Sequence, residues 1–376
     1  MVEFLAGELR TGRRLTQLPV TRSSRWSCIL NKAGEITATI PLADQSISRR
    51  AEILAQIEPT RCFLAVQVGE SIVEAGPIWS HDFDHATGNL TVRALGLWSL
   101  FDHRLVIPVL TTGQTPEALT LAWTGLSLGT IAKRLVSTAM AHTGGSLPVV
   151  LPADETGTSE RTYPGYELAT TARRLEELTQ VQGGPDVAFQ PRLTADRLGI
   201  EWVMRVGTTT DPLLHQSGDD WVWDTGTPRG GLSGVSVNTD ATGRVNRAWA
   251  EGDGFETSLL VGTHQDSSQW DRGYPLLETV LTHSTVTRTT TLNAHARAAV
   301  SQGSAPWSTW RVTAELATLS DTSGSMARPG DWARVVIPPT HVYLRPGEYR
   351  ARVGKITGDA QGRFAGLDLL PVKEAR

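Results

Sequence analysis

The 376-residue chain carries 35 Lys and Arg against 39 Asp and Glu, a formal charge of −4, with 40% hydrophobic and 20% charged residues. That length exceeds one ordinary core and points to about two to four domains. The charge argues against a binder that works by neutralising phosphates across a basic surface, while leaving local basic patches open, and no apolar run approaches the roughly 18 residues of a membrane span.

Met1 to Glu8 has neither a basic start nor a long apolar run, so no secretory leader is expected and synthesis is expected to end in a cytoplasm. Residues 1–108 then read as a compact module of five or six strands. Arg25 to Leu30 and Glu35 to Pro41 flank the turn Asn31-Lys32-Ala33-Gly34, and the second run, rich in β-branched side chains, stops at a proline. Gln45 to Ala55 sets Ile47, Ala51, Leu54 and Ala55 at helical spacing. Arg61 to Val68 is a strand. Val73 to Phe83 and Leu90 to Ala94 form a hairpin around Asp84 to Asn89, whose Gly and Asn accept the positive φ of a tight connection.

Beyond Pro108 the period changes. Leu128 to His142 lines up Leu128, Ile131, Ala132, Leu135, Val136 and Ala139 on one face and stops at Gly144-Gly145. Glu167 to Gln182 does the same with Leu168, Ala172, Leu175 and Leu178. With strands over Asp186 to Arg192 and Leu198 to Val206, residues 109–230 make a small mixed α/β domain. Strands return at Gly234 to Asn238 and Val245 to Ala250, joined by a turn at Asp240 to Gly243. A Thr-rich run, Ser284 to Thr291, leads to a helix over Leu292 to Gln302, inside an insertion at about 265–318. Finally Tyr349 to Thr357 and Phe364 to Leu370 flank Gly358 to Arg363 and repeat the grammar of the first hairpin. The expected fold is mainly β with α+β: two similar β-barrel-like modules at 1–108 and 231–376, the mixed domain at 109–230, and the small helix-containing insertion.

Chemical constellations are sparse. In His81-Asp82-Phe83-Asp84-His85 a strand places the histidines on one face and the aspartates on the other, so the four groups diverge and read as a solvated hairpin end. Glu176-Glu177 and Asp219-Asp220 have no nameable partner in sequence. Gly231-Leu232-Ser233-Gly234 and Ser323-Gly324-Ser325 miss the spacing of a nucleophile elbow, and no Walker loop, dinucleotide fingerprint or zinc-protease helix is present. Cys28 and Cys62 read as small buried hydrophobes. Twelve tryptophans spread along the chain suggest several cores, although the pairs Trp221/Trp223, at i, i+2, and Trp307/Trp310 could also stack on sugars. No catalytic, cofactor-binding or metal-ligating residue is assigned, and no cofactor is expected.

Several stretches together resemble the central hub proteins at the distal end of phage tails, the minor tail proteins of actinobacterial siphophages in particular. They are Glu74 to Trp79 with its hairpin, Ala94 to Arg104, Leu292 to Ala296, Pro329-Gly330-Asp331, Tyr349 to Val353 and Leu367 to Pro371. The same pattern is similar to the hub of contractile-tail baseplates and to the N-terminal part of tail-associated lysins. The resemblance implies a non-enzymatic structural virion protein, assembled in the host bacterial cytoplasm, that caps or extends the tail tube. It implies a homotrimer whose paired modules match a sixfold tail to a threefold tip. Implied partners are the distal tail ring protein, the tape measure protein, other minor tail or receptor-binding proteins, and passing DNA without sequence-specific binding. With the sequence stopping at Arg376, fused lysin or fibre domains are not expected. A glycan-binding protein or glycoside hydrolase, and a hexameric distal ring protein, are the competing expectations.

Overall fold

The structure, a computed structural model, describes residues 1–371 except 45–46, 48–49, 182, 227–230, 284–285, 306 and 322–324, and of 307 and 371 only the backbone. From the N-terminus run β1 (Val2–Glu8), β2 (Arg14–Gln17), β3 (Arg25–Ile29), β4 (Glu35–Ile40), the short helix α1 (Arg50–Gln56), β5 (Cys62–Val68), β6 (Ser71–Asp84) and β7 (Asn89–Leu95). Then come β8 (Thr120–Leu126), α2 (Leu128–Met140), β9 (Val149–Val150), β10 (Ser159–Pro164), α3 (Thr171–Gln180), β11 (Val187–Leu193) and β12 (Ile200–Val206). The next stretch holds β13 (Trp221–Asp224), β14 (Leu232–Asp240), β15 (Arg247–Glu251), β16 (Val261–Gln265), α4 (Ser268–Asp271), β17 (Glu278–Thr282) and α5 (Thr289–Gln302). Four strands close the chain: β18 (Trp307–Glu315), β19 (Trp332–Ile337), β20 (Gly347–Asp359) and β21 (Phe364–Pro371). They divide into two compact units, Met1–Ser236 with Trp310–Arg376, and Val237–Thr309.

The expected β-rich, α+β character holds. Both ends of the chain build one 13-stranded sheet, ordered β14-β18-β21-β20-β3-β4-β7-β6-β5-β1-β2, with β19 on the first half of β20 and β13 beside β19. No closed barrel forms among the described residues. The reason lies in β20, which is long enough to give its first half to β19 and its last five residues to β3. Alternation sets the faces: Trp26 and Cys28 of β3 and Ile36, Ala38 and Ile40 of β4 point inward, with polar neighbours between them. β5 is buried along nearly its whole length and reads as an unbroken apolar run.

One face of β1, β5 and β6 is covered by the mixed region. Leu5, Phe63 and Ala75 share a core with Trp98, Phe101, Ile131, Leu135, Val136, Leu175, Leu178 and Trp202. Burying side chains of this size stabilises by about 1.5–3 kcal/mol each. Both helices start where their caps dictate. The Ser127 hydroxyl accepts from the Thr130 N–H at 3.1 Å, and the Thr170 hydroxyl from the Arg173 N–H at 3.3 Å. That second cap corrects the expected inner face: Leu168 precedes the helix at φ 47 and is 52% exposed. Leu54, also expected inside, is exposed, and α1 buries Ile53 instead. Four residues at the start of that expected helix, 45–46 and 48–49, lie outside the described residues.

In the second unit β15 sits between β16 and β17. Helix α5 packs on this sheet through Leu292, Ala296 and Val300 against Ala248 and Ala250. Here the expected pairing around Asp240 to Gly243 is corrected. The turn exists, with Asp240 Oδ1 accepting from the Thr242 N–H at 2.8 Å, but β14 pairs with β18 while β15 pairs with β16 and β17. The Thr-rich run enters the first turn of α5 from Thr289; 284–285 lie outside the described residues.

Candidate assembly surface

The β6–β7 and β20–β21 hairpins repeat each other residue by residue. Phe83 faces Leu90 as Gly358 faces Ala365, and His81 faces Val92 as Ile356 faces Leu367. Ser80 faces Arg93 as Lys355 faces Asp368, and Ile78 faces Ala94 as Val353 faces Leu369. In each case the register slips at this last step, leaving Trp79 and Gly354 as corresponding bulge residues. The turns match as well. Asp84 Oδ1 accepts from the Ala86 N–H at 2.9 Å, and Asp359 Oδ1 from the Gln361 N–H at 2.9 Å. The Thr87 hydroxyl, with the Ala86 N–H, holds the Asp84 carboxyl below the usual carboxylate range.

Outward from the hairpins the strand order also repeats. Each hairpin's first strand pairs with the strand before it, β5 or β19, and its second strand with β4 or β18, which in turn pair with β3 or β14. The two halves meet at the antiparallel β3–β20 joint, where Trp26 faces Gly358 and Cys28 faces Ile356. Gly358 is needed for close approach, because a Cβ there would overlap the Trp26 indole. On the solvent side of the joint an open cleft of about 770 Å³ is lined by Arg25, Glu35, Arg93, Lys355, Thr357 and Asp359, with both charge signs represented.

Beneath the other side lies a cavity of about 50 Å³ bounded by Cys28, Glu74, Trp98, Phe189 and Arg328. Burial pushes the Glu74 carboxyl up to about 8, against the Ala75 N–H it accepts at 3.0 Å and the nearby Arg328 guanidinium. A Cβ at Gly34 would overlap that carboxyl, so the β3–β4 turn can close only on glycine. A second buried polar cluster ties the mixed region to both halves of the sheet. Arg352 of β20 pairs with Asp186 and donates to the Leu214 carbonyl at 2.7 Å. The Asn31 amide donates to Asp186 Oδ1 and accepts from the Val187 N–H, both at 2.8 Å.

The groups singled out in sequence are dispersed. Residues His81 to His85 are all exposed along the end of β6 and its turn, and among the described residues no three His, Cys, Asp or Glu side chains gather as metal ligands. Glu177 pairs with Arg173 and Arg174. Asp220 takes a two-pronged contact from Arg350 at 2.8 and 3.1 Å, which holds its pKa down. Trp223 is buried and Trp221 donates to Asp331 at 3.1 Å, so this pair forms no open sugar platform; Trp310 is buried, and the Trp307 side chain lies outside the described residues. Ser233 lies on β14, where its hydroxyl donates to the Thr313 carbonyl; 323–324 fall outside the described residues. Cys28 and Cys62 are buried free thiols. No described helix is long and apolar enough to cross a membrane. The β3–β20 joint gave no sequence signal, because nothing local to Arg25–Ile29 marks its partner.

No family model matches the sequence, and no curated protein matches it. Solved structures do. The 43 kDa tail protein of prophage MuSo2 from Shewanella oneidensis is 12% identical, with 98% of each chain covered and a TM-score of 0.57. A tail protein from Neisseria meningitidis is 14% identical over 98% of this chain and 95% of its own, at a TM-score of 0.55. A prophage tail protein from Listeria monocytogenes is 9% identical over 99% and 95%, at 0.51. Across almost its whole length, the chain has the fold of these phage and prophage tail proteins.

Proposed function

We propose that the chain is a structural tail-tip protein of a phage virion, a hub that caps or extends the tail tube. The observation that carries this reading is the internal repeat, two hairpins with matched turns and matched bulges, inside a fold shared with tail proteins. Three copies with two such halves each would present six similar surfaces, which matches a sixfold tube to a threefold tip. In this reading the protein is not an enzyme. It binds itself, the distal tail ring protein, the tape measure protein and other minor tail or receptor-binding proteins. DNA passes a wall of mixed charge without sequence-specific contact, and assembly takes place in the host cytoplasm.

The test is mass and location together. Light scattering of the purified protein should give three copies of the 40.7 kDa chain. Antibody labelling of native tails should mark the tip. A six-copy ring would favour the distal ring reading, and absence from virions would end both. The glycan reading has lost the aromatic platform expected at Trp221/Trp223, and no observation among the described residues favours it.

A further inference from the structure

The repeat leaves one joint made and its counterpart unmade. Within the chain, β3 covers the outer edge of the last five residues of β20. The corresponding edge of β6, Ser80 to Asp84, pairs with no further strand among the described residues, and all five residues are exposed. Phe83 is 51% exposed, although it faces Leu90 from the core side of the sheet. The counterpart of β3 is β14, the terminal strand at the other end of the sheet. Past the bridge from Gly231 to Asp224, no described strand pairs with its outer edge.

The residues that would meet can be read from the repeat. Ile36 faces Ala94 of β7, Trp310 faces Leu369 of β21, and Ala94 corresponds to Leu369, so Ile36 corresponds to Trp310. Trp26 faces Ile36. The Glu315 N–H donates to the Gly231 carbonyl and the Ser233 hydroxyl to the Thr313 carbonyl; continuing that register puts Ser236 across from Trp310. Ser236 is therefore the counterpart of Trp26, as Phe83 is the counterpart of Gly358. In the joint already made, a large side chain on the β3 strand meets a glycine; in the open one, a small serine would meet a phenylalanine. Size complementarity is preserved with the roles exchanged.

We infer that β14 of one copy adds antiparallel to the outer edge of β6 of a second copy, with Phe83 covering Ser236. The contact is head to tail, so it closes a ring when the rotation allows and is continuous with the β3–β20 joint inside each chain. It also accounts for a flat edge that a lone subunit would expose to aggregation. This inference rests on the self-associating hub reading and adds the surface through which copies meet.

The test is a cysteine pair, Phe83→Cys with Ser236→Cys, oxidised in the full-length protein. Covalent chains of copies should appear on non-reducing gels, and either single variant should give none. Separately, Phe83→Arg should raise the concentration at which the assembly dissociates by about 30-fold or more, as for a central interface anchor. Its far-ultraviolet circular dichroism should stay native, which separates lost association from lost folding. If the wild type is a trimer but the cysteine pair does not crosslink and Phe83→Arg leaves the assembly unchanged, this interface is overturned and the hub reading stands. A wild type that is monomeric at all concentrations overturns both.

Discussion

Glu74 is an acid that the fold keeps neutral. Its carboxyl is raised from 4.5 to about 8 by burial, while Arg328 nearby acts in the opposite sense and is itself lowered by burial. Between those two values the folded chain holds a proton that the unfolded chain has released, so stability falls as pH rises through this window. Glu74→Gln removes that dependence. Relative to the variant, the wild type should lose melting temperature steadily from pH 5 to pH 8.5, as calorimetry would show. Parallel curves would refute a neutral Glu74. Gly358 makes a purely steric prediction: Gly358→Val forces a branched side chain into the Trp26 ring and should cost about 1–3 kcal/mol in chemical denaturation. A neutral outcome would mean that Trp26 can move aside. None of this chemistry was legible in sequence, because nothing local to Glu74 marks it as buried, and the close neighbours that cover it, Gly34 and Gly96, are distant in the chain.

At the scale of elements, what was legible was what is local. The hairpins could be read because Asp, Gly and Asn at fixed offsets define the turns, and α2 because its apolar spacing and caps are contiguous. Leu168 was misplaced because a cap three residues inside the apolar pattern starts the helix late. The Asp240 turn suggested a hairpin, yet its flanking strands pair elsewhere, since turn chemistry sets a bend and not the partner of each strand. The Asp186–Arg352 pair joins β20 to the segment before β11 and is buried on both sides. Asp186→Ala would strand the Arg352 charge and should cost roughly 3–5 kcal/mol, whereas Asp186→Leu with Arg352→Met should recover much of it. Urea midpoints of the two variants, against the wild type, decide this. Equal losses in the single and the double variant would show that the cluster acts through packing alone.

At the scale of the whole molecule, β-rich composition and the two hairpins indicated two related modules, but not that β20 and β3 fuse them into one sheet. That joint spans more than three hundred residues of chain, and its register depends on a Trp–Gly contact with no periodic signature. The fusion also fixes how the halves repeat, and the repeat underlies the reading of the chain as a self-associating tail hub. The measurement that bears on it most directly is the copy number of the purified protein by light scattering, repeated over a hundredfold range of concentration. Three copies of the 40.7 kDa chain are predicted, dissociating only on dilution. A single copy throughout would contradict the account.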